Sequence, residues 1–358
     1  MDIEFHYYMT YLIAARAGFS PADAAVIAQS AQEIDDNHIP IEVGAGTAQV
    51  YEGTISQTMN ILRPWHAKRI YPIFHFIPGD PDAASARRVD GARSDWVTTP
   101  NSALANEMLD TALRSGDLYR IGASAHAFAD TWAHQNFLGK DDAFNEMPIE
   151  PGESRLEEAL DAISILRIGH ALAGHKPDIP DLIWTDARLA EPTVVNADRF
   201  LDAAEHLFRK LRGYKNGDAT GAAVDRDAAS LVADLKEDIG TPSTVSAPRA
   251  VRIRRYGNRA LTTPYGAKAI PDYQEGQWSD AAFIEKRSDI STRLDIFMSE
   301  YAGVAGDALD FGTRMQCTWR DAAAYRQTDW FKFQEAVLSH LNECWGVLSK
   351  RFPDILAR

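Results

Sequence analysis

Apolar residues recur at helical spacing through most of the chain, first from Ile3 to Ala17, where Gly18 interrupts them. Ser20-Pro21-Ala22-Asp23 then supplies an N-cap, a proline at the first helical position and an early acid, predicting a second helix through Asp35. Between residues 40 and 100 the periodicity weakens, and Pro64, Pro72 and Pro78-Gly79-Asp80-Pro81 act as punctuation. Helical spacing returns at roughly 101–115, 117–138, 154–173, 193–213 and 225–238. The stretch 240–280 holds Pro242, Pro248, Pro264, Pro271 and several glycines, and reads as an extended excursion or a small hairpin. Two long helices, roughly 280–313 and 328–351, close the pattern, and no internal repeat is visible.

Composition adds limits. A chain of 358 residues, 45% apolar and 25% charged, is an ordinary globular one and could hold one large domain or two. No apolar run reaches the roughly 18–20 residues that cross a bilayer. Met1-Asp2-Ile3-Glu4-Phe5-His6 has no basic leader pattern, so no secretory signal is expected. Cys317 and Cys344 are too few for a disulfide scaffold, which suits a reducing cytoplasm, and too few for a thiolate zinc site. Any metal must therefore be held by histidines and carboxylates. The net charge of −14 repels polyanions and disfavours duplex nucleic acid as a partner. Bound divalent cations would reverse that sign inside a pocket.

The segment that carries the chemistry is His126-Ala-Phe-Ala-Asp130-Thr-Trp-Ala-His134. Positions four apart advance about 40° beyond a full turn, so the two imidazoles and the carboxylate share one stripe of a helix. That is a metal-binding ladder, and the apolar residues between argue against a solvated face. Further candidates are His6 in the first helix, Asp35-Asp36 at the end of the second, and His75 in the run Ile73-Phe74-His75-Phe76. Acids at a helix C-terminus oppose the macrodipole and want a cation. His170 and His175 diverge by about 140° on an unbroken helix. Gly174 and Pro177 predict a turn that swings His175 or Asp178 back toward His170. His38, His66, His206 and His340 read as structural or surface residues.

Phe5-His6-Tyr7-Tyr8, Gln32-Glu33-Ile34-Asp35-Asp36, His75, His126-x3-Asp130-x3-His134 and Ile168-Gly169-His170 through Asp178 together resemble the zinc-dependent phospholipase C and single-strand-specific nuclease superfamily. They look closest to a bacterial branch whose members begin with a Phe-His-Tyr-Tyr-type helix, and the likeness covers roughly residues 2–180. The resemblance implies an all-helical fold with up to three zinc ions in a cleft. It makes Asp130 the bridge between two metals, completes one site with Asp35, His75 and His126, and a second with His6. His134 and His170, with His175 or Asp178, would form the third. That superfamily ligates metal through a processed N-terminal residue; here Met1 reads as retained, with Asp2 or Glu4 as substitutes.

The expected fold is thus all-α, a multi-helix bundle with a metal cleft plus the 240–280 excursion. Residues 1–185 would form the metal-binding core and 186–358 a helical layer packed on it as one continuous domain. The expected activity is hydrolysis of a small-molecule or lipid phosphate ester, using two or three divalent ions, zinc first, with iron or manganese open. Asp130 would bridge metals and orient water, with Asp36 or Glu33 as base or as orienter of a ligating imidazole. Trp132, Tyr7 and Tyr8 would wall the pocket or lie in the core. Arg249, Arg252, Arg254, Arg255 and Arg259 would meet an anionic substrate or solvent. A di-iron oxidase is the alternative, since Asp130-x3-His134 approaches its ligand spacing, although the set is richer in His than such sites.

Overall fold

A computed structural model describes residues 1–58, 64–147, 167–287 and 315–353, and within them helices follow the apolar periodicity. A π-helical turn over Glu4–Met9 runs into α1 (Thr10–Arg16), followed by α2 (Pro21–Asp36) and α3 (Pro64–Phe74). Next come α4 (Ala103–Ser115), α5 (Leu118–Ala133), α6 (Asn196–Asn216) and α7 (Ala222–Ile239). The last helices are α8 (Arg249–Ala260), α9 (Gln277–Ala282) and α10 (Asp329–Arg351). The protein is therefore predominantly helical, as the periodicity predicts. Among the described residues no helix is long and apolar enough to cross a membrane.

Two differences from the sequence reading stand out. The middle of 240–280 is helix α8, because Arg252, Tyr256 and Ala260 repeat at four-residue spacing and form a buried stripe; the prolines lie outside it. The helix expected over 280–313 begins as α9 but gives way to a strand at Phe283–Arg287, whose Phe283 packs among aromatics. The rest of that stretch, and most of the helix expected at 154–173, lie outside the described residues.

The chain divides into two compact units, Met1–Gln32 with His75–Tyr273, and Glu33–Phe74 with Gln274–Arg358. The first unit does not end near residue 185. It continues through α6, α7 and α8, because α6 packs on α5 and α1, and α8 packs on the π-helical turn. Phe200 of α6 meets Phe5 edge-on at 5.7 Å, and Trp132 Nε1 donates to Asp202 at 2.6 Å. A short antiparallel pair, Ile183–Thr185 with Thr193–Val195, precedes α6. The second unit holds a four-stranded sheet built from Ile41–Val43, Tyr51–Glu52, Phe283–Arg287 and Met315–Trp319. Ile41–Val43 pairs parallel to Met315–Cys317 and antiparallel to Tyr51–Glu52. Trp330 of α10 packs against Phe283, Trp319 and Tyr51 there.

Local signals set the ends of the helices that build the site. Ser102 caps α4 by accepting from Ala105 N at 3.1 Å, and Gly116 ends it in the left-handed region at φ 70°. Asp117 then caps α5 by accepting from Tyr119 N at 2.9 Å. Where α5 crosses α2 the backbones nearly touch. A Cβ on Gly122 would lie 2.3 Å from Ile27 O and 2.6 Å from Ser30 Cβ. One turn later on both helices, His126 Nδ1 reaches Ala31 O at 2.8 Å. Substitution Gly122→Ala should therefore force the helices apart and lower stability by about 1–3 kcal/mol, the usual cost of overpacking. Urea unfolding measures this; an unchanged midpoint would contradict the close approach.

Candidate metal centre

All residues of α5 from Arg120 to Ala133 are buried, so the ladder read from the sequence lies on an interior face. His126 and Asp130 sit on the helix, and His134 takes the C-cap position just past its end. Asp130, 1% exposed, is the centre of the arrangement. Its Oδ2 faces His126 Nε2 at 3.2 Å, His75 Nδ1 at 3.4 Å and His134 Nδ1 at 3.5 Å. Its Oδ1 faces His6 Nε2 at 3.2 Å and the Met1 amino nitrogen at 2.5 Å. The π-helical turn delivers His6 so that its ring stacks on His126 with centroids 3.7 Å apart.

A second group adjoins the first through His134. Its Nε2 lies 3.3 Å from Asp178 Oδ1, and His170 Nε2 lies 3.5 Å from Asp178 Oδ2. The Met1 nitrogen is 3.2 Å from Asp178 and 3.3 Å from His134 Nε2. Phe76 stacks on His134 with centroids 4.6 Å apart. Gly169, at φ 59°, leaves room for that ring, since a Cβ would come within 2.2 Å of Phe76. Two first-unit triads, His6-His126-Asp130 and His134-His170-Asp178, bring one ligand atom per residue within 4.8 Å of one another.

The backbone fixes which ring nitrogens face the centre. His126 Nδ1 donates to Ala31 O, His134 Nδ1 to His75 O at 2.8 Å, and His170 Nδ1 to Gly174 O at 2.9 Å. A carbonyl can only accept, so in each neutral ring the proton sits on Nδ1 and Nε2 presents a lone pair. Those lone pairs point at carboxylate oxygens of Asp130 and Asp178. Such contacts are repulsive unless a proton or a cation lies between them. Burial, more than any neighbour, pushes His6 down to about 3 and His126 and His134 to about 4, so these rings are neutral near pH 7. Burial alone would raise Asp130 and Asp178. The Met1 ammonium, and any imidazole beside them that takes up a proton, outweigh it and hold both carboxyls well below their ordinary range. Neutral imidazoles converging on ionised carboxylates in a buried site are the donor set that a divalent cation requires.

The structure settles several expectations. Asp178, not His175, meets His134 and His170; His175 is exposed beyond the turn at Gly174, which bends with φ 57°. Glu4 substitutes for nothing at the centre, because both its oxygens accept from Arg252 at 2.7 Å. Asp2 Oδ1 accepts from Glu4 N, and Arg249 lies 3.1 Å from Asp2 Oδ2. It is the Met1 amine that reaches Asp130, a position no side-chain pattern signals. Trp132 and Tyr7 are core residues, and Tyr7 donates to Pro271 O at 2.9 Å. Glu33, Asp35 and Asp36 end α2, in the turn counted with the second unit. Asp35 follows Ala31, the acceptor of the His126 proton, by one helical turn on the same face.

Acid should loosen this centre in a defined window. Unfolded histidines titrate near 6.5, while His6, His126 and His134 stay neutral down to about 4 or lower. The unfolded chain then binds more protons over that interval, so stability rises with pH there and is lost on acidification. Chelator-treated protein should show a falling urea midpoint from about pH 6.5 toward pH 4, and a flat profile would contradict neutral buried rings.

No curated protein and no solved structure matches the chain. A model described as a family of unknown function, DUF6765, matches residues 1–348, and the chain belongs to that family.

Proposed function

We propose that the protein is a metal-dependent hydrolase of phosphate esters, with zinc the leading metal. The observation that carries this reading is the convergence of His6, His75, His126, His134 and His170 on the two buried carboxylates of Asp130 and Asp178. His6, His126 and Asp130 would hold one ion, and His134, His170 and Asp178 another. Asp130, with histidines against both oxygens, is placed to serve more than one ion. The resemblance would add Asp35 as a further ligand. The ordered likeness to the zinc-dependent phospholipase C and nuclease superfamily points the same way. A structural zinc site is normally closed by four ligands, whereas this donor set exceeds that number and suits multinuclear chemistry.

When bound, clustered divalent ions lower the pKa of coordinated water and neutralise charge on phosphoryl oxygens. The chain's part is to hold imidazoles in the ligating tautomer through Ala31, His75 and Gly174 carbonyls, and to keep two carboxylates ionised. Phe76 shields one face of His134. Glu33 or Asp36 is the proposed general base or orienter. The donor set, with five histidines to two carboxylates, favours zinc over the carboxylate-rich di-iron alternative. The substrate is proposed as a small-molecule or lipid phosphate ester, since the −14 charge disfavours long-range attraction of duplex nucleic acid. Two buried cysteines, Cys317 and Cys344, too few for a disulfide scaffold, fit a cytoplasmic setting.

Elemental analysis of purified protein should find at least one divalent metal per chain, and a panel of phosphomonoesters and phosphodiesters should reveal metal-restored turnover. Asp130→Asn should cut that turnover by about two orders of magnitude or more, as expected for removal of a central electrostatic group. Protein that holds no metal and gains no activity on zinc, manganese or iron addition would sink the reading. Within the second group, His170→Ala should lower metal content, whereas His175→Ala should leave it unchanged; equal effects would contradict the assignment of Asp178 as the closing ligand.

A further inference from the structure

We propose, resting on the metal reading of this site, that Arg252 is its positioning residue, one guanidinium that clamps together two chain segments, remote in sequence, that deliver ligands. The sequence puts Arg252 on the buried face of α8, in line with Tyr256 and Ala260. It is 2% exposed, whereas Arg254 and Arg255 on the same helix face solvent. An arginine is buried only when paired, and this one is paired with two carboxylates. Nε and Nη2 fork onto the two Glu4 oxygens at 2.7 Å each. Nη1 meets Asp181 Oδ2 at 2.7 Å, Ala247 O at 2.7 Å and Ser246 Oγ at 3.1 Å. Asp181 is itself held by Ser246 Oγ at 2.6 Å and Ala247 N at 2.8 Å.

What the clamp joins gives it a role beyond cohesion. Glu4 stands two residues before His6 and three after Met1, in the turn that brings both to Asp130. Asp181 stands three residues after Asp178, with Pro180 stiffening the link. A single planar group thus sets the separation of His6 and Met1 from Asp178, across which the Met1 nitrogen and Asp178 Oδ1 lie 3.2 Å apart. A buried ion pair is a poor source of net stability, because desolvation offsets attraction, but its bidentate geometry is stiff. Lysine keeps the charge without the fork and so cannot reproduce it. Arg259, on the same helix, is bound to Asp234, Glu237 and Asp238 of α7, none of which lies in a ligand-bearing segment. It is the matched control.

Zinc affinity by competition with a chromophoric chelator, zinc stoichiometry, and melting curves with and without zinc test the inference on full-length chains. Arg252→Lys and the charge-compensated pair Arg252→Met with Glu4→Gln should weaken zinc binding about tenfold or more, the scale of a lost orienting contact. Their zinc-induced rise in melting temperature should shrink in step. Arg259→Met should lower the melting temperature yet keep zinc affinity and stoichiometry. Folded Arg252 variants that bind zinc like the parent would overturn the positioning role while leaving the metal reading intact. Variants that do not fold would make the clamp a requirement of the fold and overturn the narrower claim. A parent chain that binds no divalent cation would remove the metal reading and this inference together.

Discussion

A carboxylate with 1% exposure is an expensive thing to bury, and the first unit is arranged around compensating the one on Asp130. Five positions reach its two oxygens: Met1, His6, His75, His126 and His134. They come from the start of the chain, the segment after α3, and two turns at the end of α5. Each can arrive only if the helix carrying it is packed correctly, which makes the anion a test of the whole unit's geometry. The bare backbone at Gly122 lets α5 lie against α2 closely enough for His126 to find Ala31 O. The π-helical turn gives His6 the rotation that stacks it on His126.

The orientation of the imidazoles rests on main-chain carbonyls rather than on second carboxylates. Ala31, His75 and Gly174 each accept an Nδ1 proton. A carbonyl adds no charge to the pocket, burial keeps the His126 and His134 rings neutral, and their outward nitrogens stay available to a cation. It also cannot be changed by substituting its own side chain. The tautomers are consequently a property of where segments run, and Gly174 contributes by the unusual turn at φ 57° that aims its carbonyl back at His170.

Several acidic and basic residues elsewhere in the unit pair with one another. Two arginines of α8 take different tasks, Arg259 bonding three acids of α7 and Arg252 joining Glu4 to Asp181. Part of a run that resembles a basic patch in the primary structure is thereby taken up in ion pairs, while Arg254 and Arg255 face solvent. The long-range field of the protein is set by its net charge of −14 and the local chemistry by the histidine-rich centre.

Much of this was legible before any coordinates. Helix positions followed from apolar spacing because a 3.6-residue repeat is a local property, and Ser102, Asp117 and Gly116 mark ends through contacts that span a single turn. His126, Asp130 and His134 could be grouped because four-residue spacing on one helix is also local. What distance along the chain conceals is which remote groups meet. Nothing in the pattern distinguishes His175 from Asp178 until the turn at Gly174 has its dihedral angles, or shows the Met1 amine at Asp130. The prolines around α8 hid a helix whose apolar stripe includes an arginine, since a buried guanidinium reads as polar until its two carboxylates, 248 and 71 residues away, are brought to it. The residue types and local geometry determined the chemistry available to this protein; tertiary packing alone decided which of those groups share one buried centre, because convergence depends on long-range contacts that no periodicity encodes.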